Sequence, residues 1–372
     1  MNSFAELFNK VLEDKSKWDY YNTYDYYNNY QDVLNNSRYF IESILSDGIK
    51  LSDLARHEYK ILEDGYRLEH TVSLYFMGII IYENVASIRD AINNYIRQVD
   101  GHYSHRYSRF RFMRNQFEYE HNTSFSYLWF LICFFHDFGY SFEMEDKSSA
   151  LERLFNVLDG NLNFVLPNGF YRTGVPKVIS DNIQNYINYR YKVNNKLDHG
   201  IVSGLLFWEE RKKDYYNRRK KHKEETFIDD NRLWSKAILY NIHLPVAWTI
   251  SAHNVWFIEE HSEYAYDYKN YGLDRLIVDK PKIQIDRHPM LFLLSIVDTL
   301  DPVKLLLSSD VHKFDYSDLN LIGFEFSHDA ILYRINFNDT IVNERYRNSI
   351  KNIDAWLCCK SYYNNGIFEI RI

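Results

Sequence analysis

The sequence predicts a mainly α-helical protein with a small α+β unit at its C-terminus. From Phe4 to about Asp310, apolar residues recur at spacings of three and four, as they do on the buried face of a helix. Only 6 prolines occur in the 372 residues, so long helices are seldom interrupted. After Asp310 the apolar residues alternate, which is the period of a strand with one buried face.

The helical part is expected to form one irregular bundle over residues 1–312, since no repeat of fixed length is visible in it. The α+β unit is expected over residues 313–372. A hairpin is predicted from Ile322 to Phe337, a helix from Asn343 to Leu357, and a last strand in GIFEIRI.

Two segments depart from the helical pattern and are expected to be insertions between helices that lie at the protein surface. The segment from Asn161 to Lys177 contains closely spaced Pro and Gly, and the segment from Arg211 to Glu225 is dominated by charge. The basic run from Arg211 to Lys223 could contact phosphates. A solvated helix end or loop is the commoner outcome for such runs, and we favour that interpretation.

The composition indicates a folded cytoplasmic protein. Hydrophobic residues make up 46% of the chain and charged residues 26%, as in globular proteins. The longest apolar runs are far shorter than the roughly 20 residues that span a bilayer, and no secretory signal is visible, so no membrane partner is expected. The 3 cysteines are too few for a disulfide framework. A formal net charge of −7 excludes nucleic-acid binding through bulk charge but allows a local basic groove.

The most informative segment is FLICFFHDFGY, in which His136 and Asp137 end a helix of nearly continuous apolar residues. A buried imidazole and carboxylate destabilise the fold unless they are paired or bound to a cation. A second His-Asp pair, His328 and Asp329, lies in the predicted hairpin turn, where both side chains can face solvent. No role is expected for that pair.

Four further polar positions share the apolar helical setting of the doublet: His70, His199, His253 and Asp298. Taken singly, such residues have ordinary interpretations. His199 could cap its helix, His253 could be a satisfied core histidine, and Asp301 could be a turn residue. Taken together, they would leave many buried polar groups to be satisfied separately, and one shared metal site accounts for them all.

This ordered set resembles the HD superfamily of metal-dependent phosphohydrolases, in which a His, a His-Asp doublet and a distant Asp lie on successive helices of a bundle. The pattern is matched in order and setting by His70, His136, Asp137 and Asp298. The resemblance runs as short motifs from about Tyr66 to Pro302. It implies an HD-type helical bundle whose cofactor is one or two divalent ions of Mn, Fe, Mg, Ni or Zn.

Superfamily members with a binuclear centre carry two more histidines between the doublet and the last Asp, and His199 and His253 occupy those places. These members include HD-GYP cyclic-dinucleotide phosphodiesterases, cyclic-nucleotide phosphodiesterases and nucleases. The resemblance implies that Asp137 bridges two ions. One ion would also bind the other three residues of the basic pattern, and the second would bind the two added histidines. Asp137 and His199 are the catalytic residues expected from it.

Two local features refine the resemblance. The residues after the doublet are Phe138, Gly139 and Tyr140, and the Lys and Gly-Tyr-Pro elements of HD-GYP proteins are missing, so cyclic-di-GMP is not the expected substrate. The Asp-His-Gly of Asp198 to Gly200 is similar to HD domains of bacterial conflict systems.

The function implied by the resemblance is hydrolysis of a phosphoester or phosphoanhydride in a nucleotide or cyclic nucleotide through a metal-activated hydroxide. Two alternatives stay open. A nuclease acting on single-stranded nucleic acid would need a basic, aromatic-lined groove that leads to the ions. A non-catalytic module would keep the metal for folding or bind a nucleotide as a signal.

Overall fold

A computed structural model of the chain describes residues 1–14, 66–107, 125–143, 147–157, 174–221, 239–279, 283–307, 316–335, 340–364 and 366–372. Helices dominate these ranges, and a small antiparallel sheet brings together both ends of the chain. The prediction of a mainly α protein is therefore confirmed.

The helices of the first half are α1 (Phe4–Glu13), α2 (Tyr66–Asn84), α3 (Ala86–Tyr107), α4 (Phe125–Phe135), α5 (Tyr140–Glu143), α6 (Lys147–Val157) and α7 (Lys177–Val193). The later helices are α8 (His199–Lys221), α9 (Leu244–Ala252), α10 (Ala265–Asn270), α11 (Pro289–Leu300), α12 (Pro302–Leu307) and α13 (Thr340–Trp356). A π-helical turn, Leu239–His243, leads into α9, and 3-10 turns form at Asp274–Leu276 and Tyr316–Leu321.

The centre of the bundle consists of helices that are apolar on nearly every side. All nine residues of α9 are buried, and so is most of α4 and α11. Helices of this kind belong in the interior, where other helices cover each of their faces. Accordingly, α9 contacts α8, α4 and α11, and α2 packs on α4. In the described ranges, none of the helices combines the length and the apolar character needed to cross a membrane.

The sheet has the strand order β1-β2-β3-β5-β4, and all its pairings are antiparallel. Its strands are β1 (Asn2–Ser3), β2 (Ile322–Phe326), β3 (Ala330–Ile335), β4 (Lys360–Asn364) and β5 (Ile367–Arg371). The predicted hairpin is confirmed as β2 and β3, and the predicted last strand as β5. His328 is exposed in the hairpin turn, as expected. The N-terminal strand β1 also joins this sheet.

The structure describes the two predicted surface insertions to different extents. Residues 161–173 of the first lie outside the described ranges. The second segment is not inserted between helices in its first part, because α8 continues without a break through Arg211 to Lys221, which agrees with the interpretation of the basic run as a helix end. Arg211 is only 1% exposed, and its guanidinium lies 5.9 Å from the ring centroid of Phe207, one turn earlier. The long side chain therefore extends the buried face of the helix.

Candidate metal centre

The ends of five helices bring polar side chains together inside the bundle. One side chain lies in the first two turns of α2, a pair follows α4, one begins α8, one follows α9 and one lies in the last turn of α11. In chain order these residues are His70, His136, Asp137, His199, His253 and Asp298. All are buried except Asp298, whose side chain is 20% exposed.

The Asp137 carboxylate is the common neighbour of four imidazoles. Its Oδ1 lies 3.4 Å from Nε2 of His136, 3.5 Å from Nε2 of His199 and 3.9 Å from Nε2 of His253. Its Oδ2 lies 3.8 Å from Nε2 of His70. Each imidazole thus presents the same ring nitrogen, Nε2, to one carboxylate.

Two groups of these residues could hold a metal ion. We call His70, His136 and Asp137 the first half-site and Asp137, His199 and His253 the second half-site. Within each half-site the ligand atoms lie within 4.8 Å of one another, and all three residues are buried. Asp137 belongs to both, so its two oxygens can serve two neighbouring ions.

Two of the imidazoles are held in the tautomer that binds metal. Nδ1 of His136 donates to the Cys133 carbonyl at 2.7 Å, and Nδ1 of His253 donates to the Ile250 carbonyl at 2.6 Å. A carbonyl oxygen only accepts hydrogen bonds, so the proton of each neutral ring is on Nδ1 and the lone pair of Nε2 faces the centre. Burial keeps the rings neutral, because it lowers the pKa of His136 to about 3 and also lowers that of His253.

The ring nitrogens at the first half-site fit a bound cation. Nε2 of His136 and Nε2 of His70 are buried, and neither has an aligned hydrogen-bond partner among the described residues. A buried polar atom without a partner is costly and needs an explanation. A metal ion at this point would bind the lone pair of His136 Nε2 and would replace a proton on His70 Nε2.

His70 is oriented by a buried carboxylate. Its Nδ1 lies 2.6 Å from Oδ2 of Asp301, whose Oδ1 accepts a hydrogen bond from the Ser73 hydroxyl at 2.5 Å. Burial lowers the pKa of His70, but the carboxylates of Asp298 and Asp301 outweigh burial and raise it to about 9. Asp301 is therefore more than a turn residue, since it sets the position of a site imidazole.

His199 has a similar support, which sequence reasoning missed. Its Nδ1 lies 2.5 Å from Oε2 of Glu143, at the end of α5. Arg190 donates from Nη2 to Oε1 of Glu143 at 3.2 Å, and the Tyr140 ring stacks on the imidazole with centroids 3.7 Å apart. Burial raises the pKa of Glu143, but His199 and Arg190 outweigh burial and lower it. Glu143 is thus held as an anion behind His199.

Asp198 fixes the start of α8 and the chain after α9. Its Oδ1 accepts from the Ile201 amide at 3.0 Å, and its Oδ2 accepts from the Asn254 side chain at 2.7 Å. Nε of Arg190 lies 3.3 Å from the same Oδ2. Since His199 and His253 adjoin these residues, one carboxylate sets the spacing of the second half-site.

Gly139 leaves room for the turn that follows the His-Asp doublet. A Cβ atom at this position would lie 2.3 Å from the His199 carbonyl oxygen, so no other residue fits without movement of the backbone. The Gly139 amide donates to the Ser203 hydroxyl at 2.6 Å. The turn after Asp137 is thereby attached directly to α8.

Asp298 lies beside the first half-site but outside both groups of three. Its Oδ1 is 3.3 Å from Nε2 of His70 and accepts a hydrogen bond from Nζ of Lys304 at 2.6 Å. Burial raises the pKa of Asp298, but Lys304 and His70 outweigh burial and hold it well below its usual range. Asp298 is therefore an anion that a cation already contacts.

The buried His and Asp clusters, with one carboxylate shared between them, are compatible with the HD motif. The order of the residues along the chain and their places at helix ends also agree with it. Comparison of the chain with protein-family models, with curated proteins and with solved structures found no match.

Proposed function

We propose that this chain is a metal-dependent phosphohydrolase of the HD type, which cleaves a phosphoester or phosphoanhydride of a nucleotide or cyclic nucleotide. One observation carries the proposal: the Asp137 carboxylate lies between two buried pairs of histidines whose Nε2 atoms face it. Such a set has two neighbouring places for divalent ions, and paired ions are a recurrent device for hydrolysis at phosphorus.

Each of the two ions would be bound by a different set of the chain's residues, with Asp137 common to both. The first ion would bind the first half-site together with Asp298, and the second ion would bind the second half-site. Such ions supply Lewis acidity toward phosphate oxygens and lower the pKa of water. The supporting carboxylates of Asp301 and Glu143 hold their imidazoles with Nε2 toward Asp137. They would also make those imidazoles stronger ligands.

Three nucleophilic side chains on the helices of the site, those of Ser73, Ser203 and Cys133, are buried. Ser73 donates its hydroxyl proton to Asp301, and the Ser203 hydroxyl accepts from the Gly139 amide. The Cys133 thiol is fully buried, and burial raises its pKa well above the usual range. These contacts favour water as the nucleophile, and hence hydrolysis over group transfer through a covalent intermediate.

The activity is tested on purified protein loaded separately with Mn, Fe, Mg, Ni or Zn. The substrate panel contains nucleotides, cyclic nucleotides, cyclic dinucleotides and single-stranded DNA. We expect metal-dependent release of phosphate or a nucleoside monophosphate, reduced more than roughly 100-fold in Asp137→Ala. Cleavage of DNA alone would favour the nuclease alternative. Inactivity of fully metal-loaded protein on the whole panel would favour a non-catalytic module.

The number of ions is a separate prediction. His253→Ala should lower the metal content from about two ions to about one, because the first half-site keeps its own ligands. Asp137→Ala should weaken both ions, since both half-sites use its carboxylate. Elemental analysis of the dialysed proteins measures this, with the exposed His261→Ala as control. A single ion in the wild type that His253→Ala does not remove would mean a mononuclear site.

A further inference from the structure

A lysine side chain reaches into the candidate metal centre. Nζ of Lys304 lies 2.6 Å from Oδ1 of Asp298, and that same oxygen lies 3.3 Å from Nε2 of His70. The ammonium group is therefore separated from the first half-site by one carboxylate oxygen. Neither the hydrogen bonding of the imidazoles nor the ligand sets of the two half-sites requires a cation here.

The backbone of Lys304 is fixed by the carboxylate that orients His70. The Lys304 amide donates to Oδ2 of Asp301 at 2.9 Å, and Asp301 contacts Nδ1 of His70 through that oxygen at 2.6 Å. The Ser73 hydroxyl holds the other oxygen of Asp301. A lysine on this turn is thus placed by the same contacts that place a site imidazole.

The Lys304 side chain is also open to solvent. Its exposed fraction is 37%, compared with 20% for Asp298 and 1% for His70. Exposure therefore increases from the His70 side chain through that of Asp298 to that of Lys304. A solute that approaches the first half-site from this side meets Lys304 on its way.

A metal ion and Lys304 would share one oxygen of Asp298. Oδ1 and Nε2 of His70, at 3.3 Å, have the separation of two ligands on one ion with bonds of roughly 2.0–2.2 Å. An ion bound there would draw electron density from Oδ1 and repel the ammonium. The lysine stem is flexible, so the ammonium can move toward another anion nearby.

We propose that the Lys304 ammonium binds a phosphate oxygen of the substrate beside the first half-site. When no phosphate is bound, the ammonium pairs with the Asp298 carboxylate instead. This inference rests on the proposed function and names a substrate-binding residue for it. A phosphate bound to an ion through one oxygen presents its remaining oxygens to nearby donors. An ammonium group with three N–H donors suits such a point contact.

The test measures binding of inorganic phosphate to metal-loaded protein by isothermal titration calorimetry, with metal content determined on the same samples. Lys304→Met should weaken phosphate binding roughly tenfold or more, the effect of one charge-assisted hydrogen bond, and should retain the metal. Lys304→Arg should stay within about threefold of the wild type, because it keeps the charge. The control is Lys177→Met, which removes a lysine with a similar 2.6 Å ion pair to Asp181 on α7.

Three results would overturn the inference. If Lys304→Met keeps both its metal and the wild-type phosphate affinity, Lys304 does not bind phosphate, although the proposed function stands. If Lys304→Met loses metal and phosphate binding together, Lys304 serves only to hold Asp298 in place. If fully metal-loaded wild-type protein binds no phosphate, both the inference and the proposed function fail.

Discussion

The four imidazoles of the centre are supported in two chemically different ways. Nδ1 of His136 and of His253 donates to a backbone carbonyl, whereas Nδ1 of His70 and of His199 contacts a buried carboxylate. Each half-site contains one imidazole of each kind. An imidazole with a carboxylate behind it is more basic and a stronger metal ligand, so each ion would have one strong and one ordinary nitrogen ligand.

The two supporting carboxylates should act on different ions. Asp301→Asn should weaken the ion of the first half-site roughly tenfold or more, and Glu143→Gln should do the same to the second, because each amide keeps the shape but loses the charge. Calorimetric metal titrations resolve the two sites. Asp181→Asn, which changes a carboxylate paired with Lys177, is the control. Equal losses at both sites in each variant would contradict separate roles.

At the scale of single residues, the sequence indicates the residues that face the metal centre but not the carboxylates that support its histidines. His136 and Asp137 are visible because they end an apolar helix, and Asp298 because it interrupts one. Glu143 lies in a short polar segment among other acidic residues, and Asp301 precedes a proline, where a turn is the ordinary interpretation. Their partners are distant along the chain, and local pattern carries no information about such contacts.

At the scale of helices, the distance between α8 and α9 controls the second half-site. A Cβ atom on Gly204 would lie 1.9 Å from the Ser251 hydroxyl oxygen and 2.5 Å from the Ala247 carbonyl oxygen. The two helices thus approach at a point where only glycine fits. His199 begins the first helix and His253 follows the second, so this contact helps to place their rings 5.3 Å apart.

Gly204→Ala should therefore destabilise the protein and weaken the second ion. Alanine in a helix interior is normally favourable by up to about 1 kcal/mol, but forcing a methyl group against a backbone carbonyl costs roughly 1–3 kcal/mol, so the clash should prevail. Chemical denaturation measures the free energy of unfolding. Gly323→Ala is the control, since the nearest atom to its added Cβ lies 3.4 Å away. An unchanged stability for Gly204→Ala would show that the helices separate easily.

The secondary-structure elements were predictable where their periods were clear. The hairpin of β2 and β3 alternates over most of its length, α2 repeats at helical spacing, and α11 is a long apolar run. The strand β1 has only 2 residues, and in β4 four of the five residues are exposed, so neither has a recognisable pattern. The burial of Arg211 was not predicted, because the residue was interpreted from its charge, whereas its guanidinium nitrogens Nε and Nη1 are buried together with its aliphatic stem.

At the scale of the whole molecule, histidines that are wholly or partly removed from solvent should be neutral in the folded protein and make its stability depend on pH. Burial lowers the pKa of His288 to about 4 and that of His243 well below its usual range. Their unfolded values are near 6.5. Between the two values the unfolded chain binds more protons than the folded one, so stability falls as the pH decreases from about 6.5 toward 4.

The free energy of unfolding of the metal-free protein should therefore decrease between about pH 7.5 and about pH 5, with His288 accounting for about 2 kcal/mol of the decrease. His288→Gln should reduce the dependence by that amount. His328→Gln, at an exposed turn, should leave it unchanged. Denaturant titrations at the two pH values measure the difference. Parallel curves for the wild type and His288→Gln would show that the pKa of His288 is the same in the folded and unfolded protein.

The contact between His70 and Asp301 also has a consequence for the order in which the chain folds. These residues are 231 positions apart, whereas His199 and Glu143 are 56 positions apart. Closing the longer loop costs about 1 kcal/mol more chain entropy than closing the shorter one, and contacts between distant residues form slowly. During refolding, the second half-site should therefore be complete while His70 still lacks the carboxylate that orients it.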